Sequence, residues 1–317
     1  MVERLLAKEK VAGSTPVSRS TESSSGLCPE PVGLLGAPWG FMAIIRRAAG
    51  LSGGWEMLLD DRIAVVYGGG GAVGGAVARA FAEQGAHVIV AGRSPAALDL
   101  VVQPLTERGL SAEAVRLDAL VEADVEGHLD GVVAEHGGID VSFNAISAAY
   151  FLGGPLHDIP AHDFERGIAE ALRANFLTGV GAARRMAQRH RGVVLGITAS
   201  PCRRPLAHQG SFSVAGAAIE ALCRQIAADY GPQGVRAVCI RSAGSPDAPG
   251  VDGALTALAE EEGISREAFT ARIADRTLLQ RLPLLREIAN LAVLAASDLA
   301  SSMTGGVANG TCGETTD

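Results

Sequence analysis

The residues best suited to chemistry are a run of glycines at residues 68–71, which directly follows the apolar segment 63–66. Glycine permits a tight turn and lets an anion approach the backbone closely. A helix that begins just after such a run presents unpaired N–H groups and a partial positive charge. Glycine clusters also occur in turns and linkers, but a strand before the run and a helix after it favour a loop that binds a pyrophosphate.

Arg93 follows the second apolar segment, 88–91, with only Gly92 between them. Dinucleotide-binding folds usually place a carboxylate near this point for the ribose 2′-hydroxyl of NAD, whereas an arginine suits the 2′-phosphate of NADP. No acidic residue stands beside Arg93, and a guanidinium is a permanently charged, bidentate partner for phosphate. An exposed surface arginine is the simpler alternative, but the position predicts NADP(H), with NAD(H) less favoured.

Apolar segments alternate with alanine-rich stretches from residue 61 onwards. Strands are expected at residues 63–66, 88–91, 114–117, 141–143, 193–197 and 237–240, with a last apolar run near 303–308. Helices are expected at residues 74–84, 94–108, 120–136, 160–190, 213–230 and 284–296. Apolar strands that alternate with helices predict an α/β fold, a single Rossmann-like, doubly wound parallel sheet with helices on both faces.

Residues 1–56 lack both kinds of periodicity and are rich in Ser, Gly and Pro. Such a composition is typical of segments that bury too little apolar surface to fold, so this stretch is predicted to be a disordered N-terminal extension. On this interpretation Met57 is the natural start, and the alternative is a regulatory tail. Residues 57–317 then form one domain, a nicotinamide-dinucleotide-binding Rossmann domain of ordinary size.

The composition excludes several classes of protein. The 317-residue chain has a formal net charge of -8, so it lacks the basic excess that nucleic-acid binding needs. No apolar run is long enough to cross a bilayer, and the start does not resemble a signal peptide. The five cysteines are scattered and odd in number, which favours reduced thiols. We expect a cytoplasmic protein that acts on a small molecule, although the segment 246–276, the loop expected to cover the substrate, carries no recognisable motif.

The segment 66–78 resembles the TGxxxGxG fingerprint of the short-chain dehydrogenases/reductases. Tyr67 stands in place of the threonine, and Ala72 stands in place of the second glycine. Three further segments are similar to that family's third strand, its NNAG segment and its last strand, at residues 115–119, 138–147 and 303–310. The resemblance covers the chain from residue 61 to the C-terminus.

The resemblance implies a set of residues that hold the cofactor. They are Gly68, Gly70, Gly71, Ala72, Val73, Gly74, Arg93, Ser94, Asp118, Ala119, Asn144, Ala145 and Ile146. Asp118 and Asn144 have turn formation as a simpler alternative role, because both residue types form local hydrogen bonds in turns. Their order along the chain favours the cofactor role.

The family's proton transfer uses a serine, a tyrosine and a lysine four residues after the tyrosine, supported by an asparagine. Aligned with the family's YSASKAA motif, this chain has Phe212 at the tyrosine and Gly216 at the lysine. No shift of the alignment restores the pair, because the only lysines are Lys8 and Lys10. The asparagine position falls on Ala171, with Asn175 one helical turn later. The resemblance therefore implies a divergent member that lacks the catalytic tyrosine and lysine.

Three residues are candidates for the missing proton transfer. Ser200 lies at or next to the family's serine position. Tyr150 follows the fourth expected strand and would overhang a bound nicotinamide, and His208 in the loop before Phe212 offers an imidazole, the side chain most used in acid–base catalysis. Each has an ordinary alternative as a packed or solvated loop residue. The other histidines show no metal-ligand spacing, so no metal site is expected.

Two functions agree with these residues. The first is an NADP(H)-dependent oxidoreductase with an atypical active site, since hydride chemistry belongs largely to the cofactor. The second is a catalytically inactive NADP(H)-binding protein, a redox sensor or partner subunit, which the absent tyrosine and lysine favour. Small residues on the expected helices 160–190 and 213–230 permit close packing, and the resemblance implies a homodimer or homotetramer built on them.

A chain that starts at Met57 is expected to melt at nearly the same temperature as the full chain and to bind NADP(H) equally well. The reason is that residues 1–56 offer no periodic apolar face that would pack on a domain. Thermal unfolding followed by circular dichroism, together with a cofactor titration, checks both expectations. A large drop in either quantity for the shortened chain would show that the extension is structural.

Overall fold

Seven parallel strands form one sheet in the structure, a computed structural model that describes residues 57–152 and 154–316. The strands are β1 Ile63–Tyr67, β2 His87–Gly92, β3 Ala112–Arg116, β4 Val141–Asn144, β5 Gly192–Ala199, β6 Val235–Ser242 and β7 Val307–Gly310. Their order across the sheet is β3-β2-β1-β4-β5-β6-β7. The predicted fold class is confirmed, whereas the predicted extension 1–56 lies outside the described residues.

Helices cover both faces of this sheet. In chain order they are α1 Ala72–Glu83, α2 Pro95–Glu107, α3 Glu122–His136, α4 Ala161–Ala187, α5 Gly210–Tyr230, α6 Pro249–Glu261, α7 Arg266–Ala274 and α8 Leu285–Ala296. Within the described residues, no helix is long and apolar enough to cross a membrane. Helices α1, α2 and α8 pack on one face, and α3, α4 and α5 pack on the other. Because both faces are covered, the central strands β1, β2 and β5 are mostly apolar and buried.

Strand β1 lies at the centre of this arrangement. Ala64 and Val66 are buried under α1 and its neighbours, while Val65 and Tyr67 are buried on the opposite face. The strand pairs with β2 on one side, where Val66 stands opposite Val90, and with β4 on the other. From β1 the sheet continues to β2 and β3 on one side and to β4, β5, β6 and β7 on the other. The carboxyl ends of β1 and β4 therefore border the crevice at which folds of this kind bind their ligands.

The segment 246–276, expected to be a loop over the substrate, contains helices α6 and α7 instead. Leu255 and Phe269 are buried in a small apolar cluster that the two helices share. The Ser265 hydroxyl caps α7 by accepting a hydrogen bond from the Ala268 amide at 3.1 Å. A short helix needs only a brief apolar stripe to bury, and such a stripe is hard to recognise as periodic in the sequence.

Candidate functional site

The glycine loop joins β1 to α1 at the crevice. Gly68 has a φ of +71°, and a Cβ atom on it would lie 2.6 Å from the Ala145 carbonyl oxygen. A Cβ atom on Gly74 would lie 2.3 Å from the Gly68 carbonyl oxygen. Both distances are far shorter than a nonbonded contact allows, so the close approach requires glycine. The structure thus brings the expected cofactor residues of two loops, 68–74 and 144–146, into contact.

Helix α1 begins at this loop with an N-terminus suited to an anion. Its N-cap residue, Gly71, is extended and offers no side-chain hydrogen bond, and the first turn contains no acidic side chain. Ala72 and Val73 start this turn, where a helix has unpaired N–H groups and the positive end of its dipole. The backbone at Gly70 also lies close to α2, since a Cβ atom there would be 2.9 Å from the Ala97 Cβ. A cradle that a Cβ atom would fill, beside an uncapped helix N-terminus, fits a pyrophosphate.

Arg93 and Ser94 lie where β2 ends and α2 begins. The Arg93 side chain is exposed and has no ion pair or hydrogen bond with another described residue. The Ser94 hydroxyl accepts a hydrogen bond from the Ala97 amide at 3.4 Å and so caps α2. The Ser94 hydroxyl therefore caps the helix, and the Arg93 guanidinium is available to a ligand at the carboxyl edge of the sheet.

Asp118 and Asn144 use their side chains to shape the backbone. Asp118 Oδ1 accepts a hydrogen bond from the Leu120 amide at 3.0 Å in the turn after β3. Asn144 Nδ2 donates to Thr178 Oγ1 at 2.8 Å, and Asn144 Oδ1 accepts from the Ile146 amide at 2.9 Å. Both side chains thus have the turn-forming role that was their simpler alternative. We expect these segments to meet a cofactor mainly through their backbone.

Tyr150 lies beside Phe212, the residue that the alignment places at the family's tyrosine. The two rings meet edge to face, with centroids 5.1 Å apart and planes at 83°, an arrangement that aromatic pairs prefer. Burial raises the pKa of the half-buried Tyr150 phenol above its usual value, because a low-polarity environment disfavours the phenolate. The phenol is therefore protonated at neutral pH.

The loop that carries Tyr150 is held against helices α4 and α5. The Phe151 amide donates a hydrogen bond to Ser211 Oγ at 3.0 Å. A Cβ atom on Gly210 would lie 2.2 Å from the Phe151 carbonyl oxygen, and a Cβ atom on Gly167 would lie 3.2 Å from the Tyr150 Cα. Glycines on α4 and α5 therefore let this loop approach the two helices closely. These contacts fix the backbone position of Tyr150.

Gly216, which the alignment places at the family's lysine, faces the Cys202 thiol. A Cβ atom on Gly216 would lie 2.0 Å from Cys202 Sγ, so the thiol fills the space in which a longer side chain would begin. Burial raises the pKa of this thiol, which therefore stays protonated at neutral pH. An uncharged thiol thus lies against the helix position at which the alignment expects a lysine.

Ser200 and His208 are not joined to Tyr150 by a hydrogen bond within the described part of the chain. Ser200 is only 1% exposed, and its hydroxyl donates to the Ser242 carbonyl oxygen at 3.3 Å. His208 is exposed and has a φ of +64° in the loop before α5. The structure therefore places the three candidates for proton transfer on neighbouring segments without linking them.

A buried ion pair that the sequence did not predict joins α5 to strand β6. Arg241 on β6 donates to both carboxylate oxygens of Glu220 on α5, at 2.8 and 2.9 Å. Thr198 Oγ1 also donates to Glu220 Oε1, at 3.0 Å. Phe212, Gly216 and Glu220 recur every four residues and so share one side of the helix. An arginine inside the buried strand β6 is the sequence signal for this pair.

Known proteins share this arrangement. Residues 70–313 match the family model described as Enoyl-(Acyl carrier protein) reductase. A structure of a short-chain type dehydrogenase/reductase from Mycobacterium ulcerans superimposes with a TM-score of 0.73 at 27% identity, over 81% of this chain and 90% of that one. The chain belongs to the short-chain dehydrogenase/reductase superfamily. The resemblance predicted from the motifs is confirmed.

Relatives of this superfamily agree with the assignment. The chain is 30% identical to the cis-4-hydroxycyclohexanecarboxylate dehydrogenase of Sinomonas cyclohexanicum, over 78% of this chain and 94% of that one. It is 29% identical to the uncharacterized oxidoreductase YxbG of Bacillus subtilis, over 78% of this chain and 88% of that one. The chain is therefore an oxidoreductase of the short-chain dehydrogenase/reductase type, and its fold is one that binds a nicotinamide cofactor.

Replacing Gly74 with alanine should destabilise the glycine loop by about 1–3 kcal/mol and weaken cofactor binding, because the added Cβ would overlap the Gly68 carbonyl. Gly131→Ala on α3 is the matched control, since nothing lies within 4 Å of a Cβ atom there. That change should be neutral or stabilise the helix by up to about 1 kcal/mol. Denaturant unfolding and NADPH titration measure both variants. Equal stability and equal NADPH affinity of the two would contradict the role assigned to the loop.

Proposed function

We propose that the chain is an NADP(H)-dependent oxidoreductase whose proton donor is the Tyr150 phenol. The observation that carries this proposal is the edge-to-face contact of Tyr150 with Phe212, with ring centroids 5.1 Å apart. On the alignment of Phe212 with the family's tyrosine, this contact supports a phenol close to that position. On this proposal, the proton donor has moved to a neighbouring loop and the activity is retained.

The cofactor residues are those of the glycine loop and the adjoining strand ends. The pyrophosphate would be held by Gly68, Gly70, Gly71, Ala72, Val73 and Gly74, and the rest of the cofactor by Arg93, Ser94, Asp118, Ala119, Asn144, Ala145 and Ile146. The fit is supported by Gly68 and Gly74, where neighbouring backbone atoms leave no room for a side chain. The loop backbone is therefore accessible to a phosphate. An exposed Arg93 with no described partner, and no carboxylate beside it, supports NADP(H) over NAD(H).

The substrate would be a small carbonyl compound. When bound, NADPH supplies the hydride for its reduction. The Tyr150 hydroxyl would protonate the carbonyl oxygen as the carbonyl carbon is reduced, so that the product is an alcohol. The phenol is protonated at neutral pH, as the reductive direction requires, and burial raises its pKa further. The rate of reduction should fall only as the pH rises through that raised pKa.

Ser200 and His208 fit the proton-donor role less well. The Ser200 hydroxyl is buried and already donates to the Ser242 carbonyl oxygen, so we assign it to the support of the β5 end. The exposed His208 has no hydrogen bond with another described residue that would position its imidazole. General acid catalysis needs a donor held within reach of the reacting atom.

We also propose a homodimer or homotetramer that forms through α4 and α5. Phe176 on α4 and Val214 on α5 are 53% and 46% exposed. Ala217 and Ala221, also on α5, are exposed as well. Other small residues that were expected to face a partner, such as Ala171, are buried inside the subunit instead. Light scattering should show an oligomer that Phe176→Glu converts to monomers, because burying a charge in an apolar contact is costly. A monomeric unmodified chain at micromolar concentration would contradict this association.

Arg93→Ala should weaken NADPH binding by about 1.5–3 kcal/mol, the value of a hydrogen bond to a charged group. NADH binding should hardly change, because NADH lacks the 2′-phosphate. Arg108→Ala is the matched control, since Arg108 lies at the far end of α2 and pairs with Glu83 at 2.7 Å. Calorimetric titration with both cofactors measures the effect. Equal affinity of the unmodified chain for NADH and NADPH would remove the basis for an NADP(H) preference.

Tyr150→Phe should slow NADPH oxidation by a reactive diketone by about 10²–10⁴-fold, the usual contribution of a general acid. The affinity for NADPH should stay unchanged, because no cofactor contact is removed. Tyr230→Phe is the matched control, since Tyr230 lies at the opposite end of α5 from Phe212. The measurement is the loss of NADPH absorbance under saturating cofactor. Full activity of Tyr150→Phe would exclude this phenol as the proton donor.

Exchanging the two rings tests the position of the phenol alone. In the double variant Tyr150→Phe/Phe212→Tyr, the same ring pair regains a hydroxyl at the family's position, so part of the lost rate should return. Adding Gly216→Lys requires Cys202→Ala as well, because Cys202 Sγ occupies the space of the new Cβ. If the unmodified chain binds NADPH but reduces nothing in a broad panel of carbonyl and enoyl compounds, the inactive cofactor-binding protein is the correct alternative.

A further inference from the structure

Two histidines and a glutamate meet at the amino edge of the sheet, opposite the cofactor crevice. His87 is the first residue of β2, Glu113 lies on the edge strand β3, and His136 is the last residue of α3. One nitrogen or oxygen atom from each lies within 4.8 Å of the others. The three residues are far apart in the chain and have no local ligand spacing, which is why the sequence predicts no metal site.

The distances in this cluster suit a tetrahedral metal ion better than direct ion pairs. Glu113 Oε1 lies 3.6 Å from His87 Nε2 and 3.3 Å from His136 Nε2. Both distances exceed the usual N–H···O hydrogen-bond range of about 2.7–3.2 Å. Two ligands of a tetrahedral zinc ion, with bonds of about 2.0–2.1 Å, lie about 3.3–3.4 Å apart. The two separations from Glu113 Oε1 are therefore close to those between the ligands of such an ion, and the two imidazole rings lie side by side with centroids 4.6 Å apart.

The Nε2 atoms of His87 and His136, which face Glu113, form no hydrogen bond with any described residue. Both atoms are shielded from solvent. Buried polar atoms without a partner are rare and need an explanation. On the other side of the His87 ring, Nδ1 lies 2.6 Å from Ser111 Oγ. An Nδ1–H donated to that hydroxyl would orient the ring and leave the Nε2 lone pair free for a metal.

We propose that His87, Glu113 and His136 bind a divalent transition-metal ion of the zinc type, with water as the fourth ligand. Two imidazoles and one carboxylate form a ligand set that zinc accepts. The Glu113 side chain is 38% exposed, which gives an ion access from solvent. The ion links β2, the edge strand β3 and α3, so it stabilises this edge of the sheet and takes no part in hydride transfer.

Titration of the untagged, chelator-treated full chain with Zn²⁺ tests the proposal. One equivalent should bind, and its binding should raise the melting temperature. Glu113→Gln and His136→Ala should each weaken binding by more than about 100-fold, and Ser111→Ala by about 10- to 100-fold, the usual effect of losing the hydrogen bond behind a ligand. His162→Ala is the matched control, since His162 is 77% exposed beside Asp163. It should bind Zn²⁺ as the unmodified chain does.

Titration with Co²⁺ identifies the ligands. A tetrahedral site of nitrogen and oxygen ligands gives a visible cobalt spectrum without the near-ultraviolet bands of cobalt–thiolate bonds. Thiolate bands, no Zn²⁺ binding by the unmodified chain, or unchanged affinity in Glu113→Gln and His136→Ala would each overturn the proposal. Circular dichroism of every variant separates a lost ligand from a lost fold, and the half-exposed Glu113→Gln change disturbs packing least.

Discussion

The close approach of two backbone segments at the switch point of the sheet is the constraint on which the rest of the structure depends. Gly68 takes a positive φ and lies against the Ala145 carbonyl, and Gly74 lets α1 begin directly behind it. This contact exists because β1 and β4 are neighbours in the sheet although they are distant in the chain. The hydrogen bond from Asn144 to Thr178 then holds the second segment in place. The result is a helix N-terminus without a side-chain cap at the carboxyl ends of β1 and β4. Such a terminus suits a pyrophosphate.

On the proposed alignment, Phe212 and Gly216 stand on the face of α5 that carries proton transfer in this family. Cys202 occupies the space at Gly216, and Tyr150 packs on Phe212. Behind them, Arg241 holds a glutamate of α5 through two hydrogen bonds. A buried ion pair costs desolvation energy and needs such complete pairing to persist. It ties α5 to β6 on the side of the helix that also carries Phe212 and Gly216, and so fixes the orientation of that face.

The sheet and the glycine loop could be predicted from the sequence because their signals are local. Buried strands are apolar throughout, and a glycine run between a strand and a helix has few other uses. The contact between Cys202 and Gly216 has no such signal, because it depends on how a loop folds back on α5. The cluster of His87, Glu113 and His136 likewise comes from three separate elements. Helices α6 and α7 were missed because their apolar stripes are short.

A crystal structure of the chain with NADPH would show both where the cofactor binds and which phenol lies near it. We expect the pyrophosphate on the Gly68–Gly74 turn, the 2′-phosphate at Arg93, and the nicotinamide ring within reach of the Tyr150 hydroxyl. A nicotinamide far from Tyr150, or a cofactor bound away from the glycine loop, would show that Tyr150 is not the proton donor or that the loop does not hold the pyrophosphate.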